Sequence, residues 1–166
     1  MKKEELLKEI YDNVNYWLGY AEAKNAGLLA FNIAGLAVLF SLENIGGLVY
    51  ILSVFLFGSI FFVFLALWSR FAATWKNETN KSANDNLLFY LDIAKYSDDE
   101  FVVQFYKNYF QENLDNVEAV PMYIRNISSE IVINARIASR KFELFNIALK
   151  IDVLALAIAI IMTVIA

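Results

Sequence analysis

Residues 45–68, "IGGLVYILSVFLFGSIFFVFLALW", run for 24 positions without an aspartate, glutamate, lysine or arginine. A helix crosses the roughly 30 Å hydrocarbon core of a bilayer with about 20 apolar residues, and about 17 is the low edge. Residues 26–42 form a second uncharged run of 17, and residues 144–166 a third apolar stretch of 23 whose only charges, Lys150 and Asp152, lie near its start. Hydrophobic residues make up 59% of the chain and mean hydropathy is +0.47. Soluble domains hold roughly 45–50%, so the excess resides in these three stretches. The expected fold is an all-α membrane protein with three transmembrane helices, a hairpin plus a C-terminal span. A helical cytosolic region and a long stalk helix running into the last span complete it.

The chain contains neither cysteine nor histidine. Thiolate or imidazole metal sites, cysteine nucleophiles and histidine-based triads are therefore excluded. No catalytic residue, metal or cofactor is expected, and the chain reads as a non-enzyme; hydrolysis by carboxylates alone is the residual enzymatic reading. The N-terminal "MKKEELLKEIYDNVNYWLGYAEAK" keeps charges up to Lys24 before any apolar run, unlike a secretory signal.

Lysine and arginine set the expected orientation. Four lie in residues 1–25, none in "ENIG" at 43–46, and nine in 69–141. The positive-inside rule then places the N-terminus and the long middle segment in the cytosol, with "ENIG" and Ala166 outside. The expected layout is a cytosolic amphipathic helix over 1–25, a transmembrane hairpin over 26–68, a cytosolic signal-sensing region over 69–143 and a final span over 144–166.

Ile10, Val14, Trp17 and Ala21 recur at helical spacing, and nothing separates this stretch from the first span, so one helix continues from cytosol into membrane. "WKNETNKSANDN" (75–86) reads as a loop and "LLFYLDIAKY" (87–96) as a short helix. "SDDE" (97–100) matches a capping box that opens a helix carrying Phe101, Phe105 and Tyr109. "QENLDN" (111–116) ends it. Pro121 suits the first turn of a last helix running to the end of the chain.

On that last helix, Ala148, Asp152, Ala155, Ala159 and Thr163 share one face, every member small or polar, while larger apolar residues such as Leu156 fill the others. Small residues let membrane helices pack closely. The same face could instead line a pore in an oligomer, with a ring of Asp152 carboxylates, because an intramembrane carboxylate turns toward protein or water. Arg136, Arg140, Glu143 and Lys150 precede it, either as a solvated helix face or as a charged vestibule above the pore. Asn32, near the middle of span one, is expected to bond another helix. "FYKNYF" (105–110) and "MYIRN" (122–126) combine aromatics with bases, which suits nucleotide stacking and phosphate contact. Tyr106, Lys107, Tyr109, Tyr123 and Arg125 are the candidate signal-binding residues, against the plainer reading that such aromatics form a core.

"NYWLGYAEAKNAGLLAFNIAGL" (15–36), "NLLFYLDIAKYSDDEF" (86–101) and "EIVINARIASRKFELFNIAL" (130–149) together resemble the bacterial Pycsar-type transmembrane effectors. Trp17, Glu22, Lys24, Asn134 and Lys141 carry the pattern. The resemblance implies anti-phage defence by a membrane-disrupting effector, and the expected protein is a homo-oligomer, tetramer favoured, in the inner membrane and in contact with membrane lipid. A nucleotide or oligonucleotide signal from a partner nucleotidyltransferase or cyclase would control it. A related resemblance is to Hailong-type effectors, whose signal is a DNA oligomer. The expected action is that of an ion channel or pore; the competing reading is a non-conducting membrane subunit that docks a cytosolic partner.

Overall fold

A computed structural model describes residues 2–42, 46–68, 81–82 and 84–165. Residues 43–45, most of the 75–86 loop and Ala166 lie outside the described residues, and with them the expectations placed there. The rest is all-α, with no strand among the described residues. In chain order come α1 (Lys3–Phe40), α2 (Gly47–Leu67), α3 (Tyr90–Ile93), α4 (Asp98–Phe110), a 3-10 turn (Val117–Ala119) and α5 (Met122–Ile165). Helices α1, α2 and α5 are each long and apolar enough to cross a membrane.

The chain divides into two compact units. The first comprises residues 1–20 and 69–140, the second residues 21–68 and 141–166.

In the first unit, the beginning of α1 buries Leu6, Leu7, Ile10 and Val14, spaced so that they share one helical face. They join Phe101, Phe105, Ile131 and Ala135 in a core where each is essentially inaccessible. The expected helix over 87–96 is shorter than its apolar pattern, because only Tyr90–Ile93 is helical. Asp92 explains the arrest. Its carboxylate accepts from the Asn86 amide (3.0 Å) and from Lys95 Nζ (2.6 Å), so side chains hold the turns on either side. The capping box of α4 forms as the sequence dictates: Glu100 N donates to Ser97 Oγ (3.4 Å) and Ser97 N to Glu100 Oε2 (2.8 Å). Gln111, left-handed at φ 56°, ends that helix. Pro121 lies just before the first residue of α5 rather than inside its first turn, and its carbonyl accepts from the amides of Ile124 and Arg125. It thus serves the start of the helix without needing an N–H.

The second unit is built from the three apolar segments. Its buried positions on α2 (Val49, Ser53, Leu56, Ser59, Val63, Ala66) recur every three or four residues. On α5, Lys141, Phe145, Ala148, Asp152 and Ala155 do the same. This is the seam spacing of long packed helices. Large side chains such as Phe57, Phe61, Val153 and Leu154 point outward, as lipid-facing residues do. The polar residues Asn25, Asn32, Ser53, Ser59 and Asp152 point in.

Candidate functional site

The five candidate signal residues sit on the end of α4 and the start of α5, and they do not share one cavity. Tyr106 is buried and lines a cavity of about 590 Å³ with Lys2, Lys3, Glu4, Phe110 and Ile124. Lys3 Nζ stands 4.3 Å from the Tyr106 ring centroid and 5.3 Å from that of Phe110, within cation–π range. It also pairs with Glu112 Oε2 at 2.6 Å. Lys107, one residue on and so about 100° around the helix, opens instead on a cavity of about 460 Å³ that includes Lys81, Tyr96, Glu100 and Gln104. Tyr109 is half-buried, which raises its phenol above the usual range, and it packs on Phe105 at 5.7 Å. Tyr123 is exposed, and Arg125 is half-buried with an Nε that has no partner. Lys2 and Lys3 are not among the sequence candidates. They were visible in "MKKEE", but their meeting with Tyr106 depends on tertiary packing.

Beside the second cavity lies a fully engaged ionic cluster. The buried Asp85 carboxylate accepts from Lys95 Nζ (2.7 Å), Tyr96 Oη (2.9 Å) and Ser82 N (3.0 Å). Burial alone would raise its pKa, but these donors outweigh it and hold the carboxyl below its usual range. Burial, then the bond to Asp85, push the Tyr96 phenol up to about 12. Arg136, expected in a charged vestibule, donates from Nη2 to the Tyr96 carbonyl (2.6 Å) and so secures the approach to α4. Arg140 is half-buried, whereas Glu143 and Lys150 are exposed.

In the second unit, the expected pore-lining face divides. Ala148 is fully buried; Asp152, Ala155 and Ala159 line one apolar groove of about 450 Å³ with Phe31, Gly35 and Leu56; Thr163 is exposed and donates to the Ala159 carbonyl. Leu156 lines the same groove, so it does not stand on an opposite face. Its position next to Ala155 lets the longer side chain reach the groove edge. Asp152 is engaged within its own chain. Ser59 Oγ lies 2.9 Å from Asp152 Oδ2, Asn32 Nδ2 donates to Ser59 Oγ at 2.8 Å, and the Asn32 amide is within reach of the carboxylate. Asn32 therefore bonds another helix, as expected, with Ser59 as the partner that the sequence did not reveal.

The residues of the resemblance all join α1 to another segment. Trp17 packs on Tyr90 (5.4 Å) and Phe89 (6.2 Å), and Asn134 Nδ2 donates to Asn15 Oδ1 (2.9 Å) in the first unit. In the second unit, the buried Lys141 ammonium meets Glu22 Oε1 at 3.1 Å, while Lys24 Nζ lies 4.3 Å from the Phe145 centroid. A tryptophan, an acid and a lysine at these spacings are thus explained by the face of α1 that meets α5 and the 89–90 turn.

Fold and seam define a helical membrane protein with three candidate spans and a second, mixed-polarity helical unit. The family model described as the Pycsar effector protein domain matches residues 6–166, and the chain belongs to that family. It is a transmembrane effector of anti-phage defence. Pycsar effectors respond to cyclic-nucleotide signals from a partner cyclase. No curated protein and no solved structure matches the chain.

Proposed function

We propose that the chain is a homo-oligomeric channel or pore, tetrameric in the favoured form, that breaches the inner membrane under control of a cyclic mononucleotide. The observation that carries the pore reading is Asp152, a buried acid in an otherwise apolar span beside a groove edged by Ala155 and Ala159. An ionisable group at such a position is costly and is kept for ion or substrate passage more often than for packing. The cavity at Lys2, Lys3, Tyr106 and Phe110 is our choice for the signal site. At about 590 Å³ it falls within the range of small-ligand pockets, roughly 300–1,000 Å³. Its ammonium groups suit a cyclic phosphodiester and its rings suit a base. The effector performs no reaction of its own in this reading.

Purified protein in liposomes tests it. A panel of 3′,5′-cyclic mononucleotides, with DNA oligomers alongside, should change ion flux for at least one cyclic nucleotide, and Lys3→Ala should weaken that nucleotide's binding about tenfold or more. Protein that never permeabilises liposomes under any condition is the non-conducting subunit instead. Response to DNA alone transfers the signal to the oligonucleotide class. For the orientation, cysteines at Leu42 and Asn113, in a chain otherwise free of cysteine, should react with an impermeant thiol reagent in intact cells at Leu42 alone. Labelling at Asn113 reverses the topology.

A further inference from the structure

The groups around Asp152 are mismatched in a definite way. Its side chain is buried among apolar residues, with the residue only 8% exposed, and Asn32 is fully buried. The Asp152 bonds fall on Oδ2, where Ser59 Oγ sits at 2.9 Å. Asp152 Oδ1 has no partner, and neither has Asn32 Oδ1. Two acceptor oxygens in one small cluster thus lack any donor, and among the described residues no lysine or arginine pairs with the carboxylate. A buried charge without a counter-ion is costly by several kcal/mol in real proteins, and an orphaned polar atom adds about 1–3 kcal/mol.

We infer that Asn32, Ser59 and Asp152 form a binding site for a partly dehydrated alkali cation, for which sodium is the probe. Carboxylate, amide and hydroxyl oxygens are the donors that hard cations take. A single carboxylate matches a single positive charge, whereas a divalent ion would leave the apolar surroundings with an uncompensated charge. In this assignment one cation takes both orphaned oxygens, and the Ser59 hydroxyl, 2.9 Å from the carboxylate and 3.3 Å from the Ala148 carbonyl, adds further oxygens beside them. Access exists, since Asp152 also lines the open groove. This site rests on the three helices packing as described and not on conduction, so its test uses equilibrium binding rather than flux.

The full chain in detergent micelles is melted in sodium, lithium, potassium or N-methylglucamine chloride at fixed pH and ionic strength. The wild type should gain several degrees in sodium over N-methylglucamine, saturably, and should retain about one radioactive sodium per chain at equilibrium. Ser59→Ala and Asn32→Ala should weaken retention about tenfold or more, and Asp152→Asn should abolish it. Ser59→Ala and Asn32→Ala keep the carboxylate, so a folding failure of Asp152→Asn leaves the test intact. Stability indifferent to every alkali cation overturns the site, and so does an unchanged sodium effect in Asp152→Asn. Stability that ignores cations but changes with pH assigns the cluster to a proton, which equally overturns it. A liposome experiment without flux leaves these readings standing, and sodium retention without flux removes only the pore.

Discussion

Asp85 and Asp152 are the same residue in nearly equal burial, at 9% and 8% exposure, yet their surroundings differ in kind. Asp85 in the first unit is met by an ammonium, a phenol and a backbone amide. Asp152 in the second unit has a hydroxyl, a nearby amide, and one oxygen with nothing. The first arrangement supplies what an ionised carboxylate needs and locks a turn. The second supplies part of it and leaves a vacancy of donors in an apolar span, where proteins concentrate ion handling. Burial alone does not separate an acid satisfied by its neighbours from one left short of donors; the inventory of partners does.

The largest effect is expected at Asp85. Asp85→Ala leaves the half-buried Lys95 with Asp92 alone and Tyr96 with only the Ser82 carbonyl at 3.4 Å, so the first unit should lose about 3 kcal/mol, the lower end for breaking a buried pair. Chemical denaturation followed by near-ultraviolet circular dichroism, which reports the Trp17–Tyr90 packing, measures it. A loss below about 1 kcal/mol would make the Asp85 cluster a surface ornament and dissolve the contrast.

Alkali should act next. Tyr96 ionises near 10 in an unfolded chain but only at about 12 in the folded one, because burial and the Asp85 carboxylate disfavour the phenolate. Lys95 is likewise held protonated above its usual value by its bonds to Asp85 and then Asp92. Both contributions are whole below pH 10 and are lost as pH climbs from there through the folded values. Stability should therefore fall by roughly 2 kcal/mol between pH 10 and 12 on the linkage relation, visible as tyrosinate absorbance rising together with unfolding. Tyr96→Phe should flatten part of that fall. Acid acts in the other direction: Glu100, held at about 2 by Lys81 and the Ser97 amide, loses its contribution as pH drops from the ordinary carboxylate range through that value.

Much of this was legible in the sequence, and the gaps have a common cause. Charge-free runs and three-four spacing identify spans, seam and the unbroken α1 and α5, because these depend on local periodicity. "SDDE" gives the cap of α4 because both partners lie within four residues. Lys3 over Tyr106, Lys95 on Asp85 and Ser59 under Asp152 were not legible, because a serine in an apolar run or a lysine in an amphipathic helix has no local mark of its distant partner. The five candidate signal residues fall in two short stretches, 106–109 and 123–125, and diverge around α4 and α5. The family pattern was readable as pattern, and only packing explains it.

A smaller effect is expected at Glu22. Lys141 is the buried member of that pair and Glu22 is about half exposed, so solvent screens what the bond contributes. Glu22→Gln should cost about 1 kcal/mol, seen as a modest drop in Tm, since the amide oxygen still accepts from Lys141. Lys141→Met should be neutral or stabilising, because it removes the desolvated charge and keeps the volume. If Lys141→Met instead unfolds the protein, the pair is a structural cluster of the Asp85 kind.

The smallest stability change is predicted at the proposed cation site. In N-methylglucamine medium, Asp152→Asn should leave Tm within about a degree of wild type, or raise it. Asparagine has the same shape and no charge, so the cost of an unmatched carboxylate disappears. Its oxygen can take the Ser59 hydroxyl, and its new N–H₂ supplies a donor where Oδ1 and the Asn32 oxygen had none. The substitution should erase the sodium effect and, in liposomes, reduce cation preference. A fall of several degrees in the ion-free medium would mean that the carboxylate is satisfied within the helices, as Asp85 is, and the difference between the two aspartates would then be one of location only.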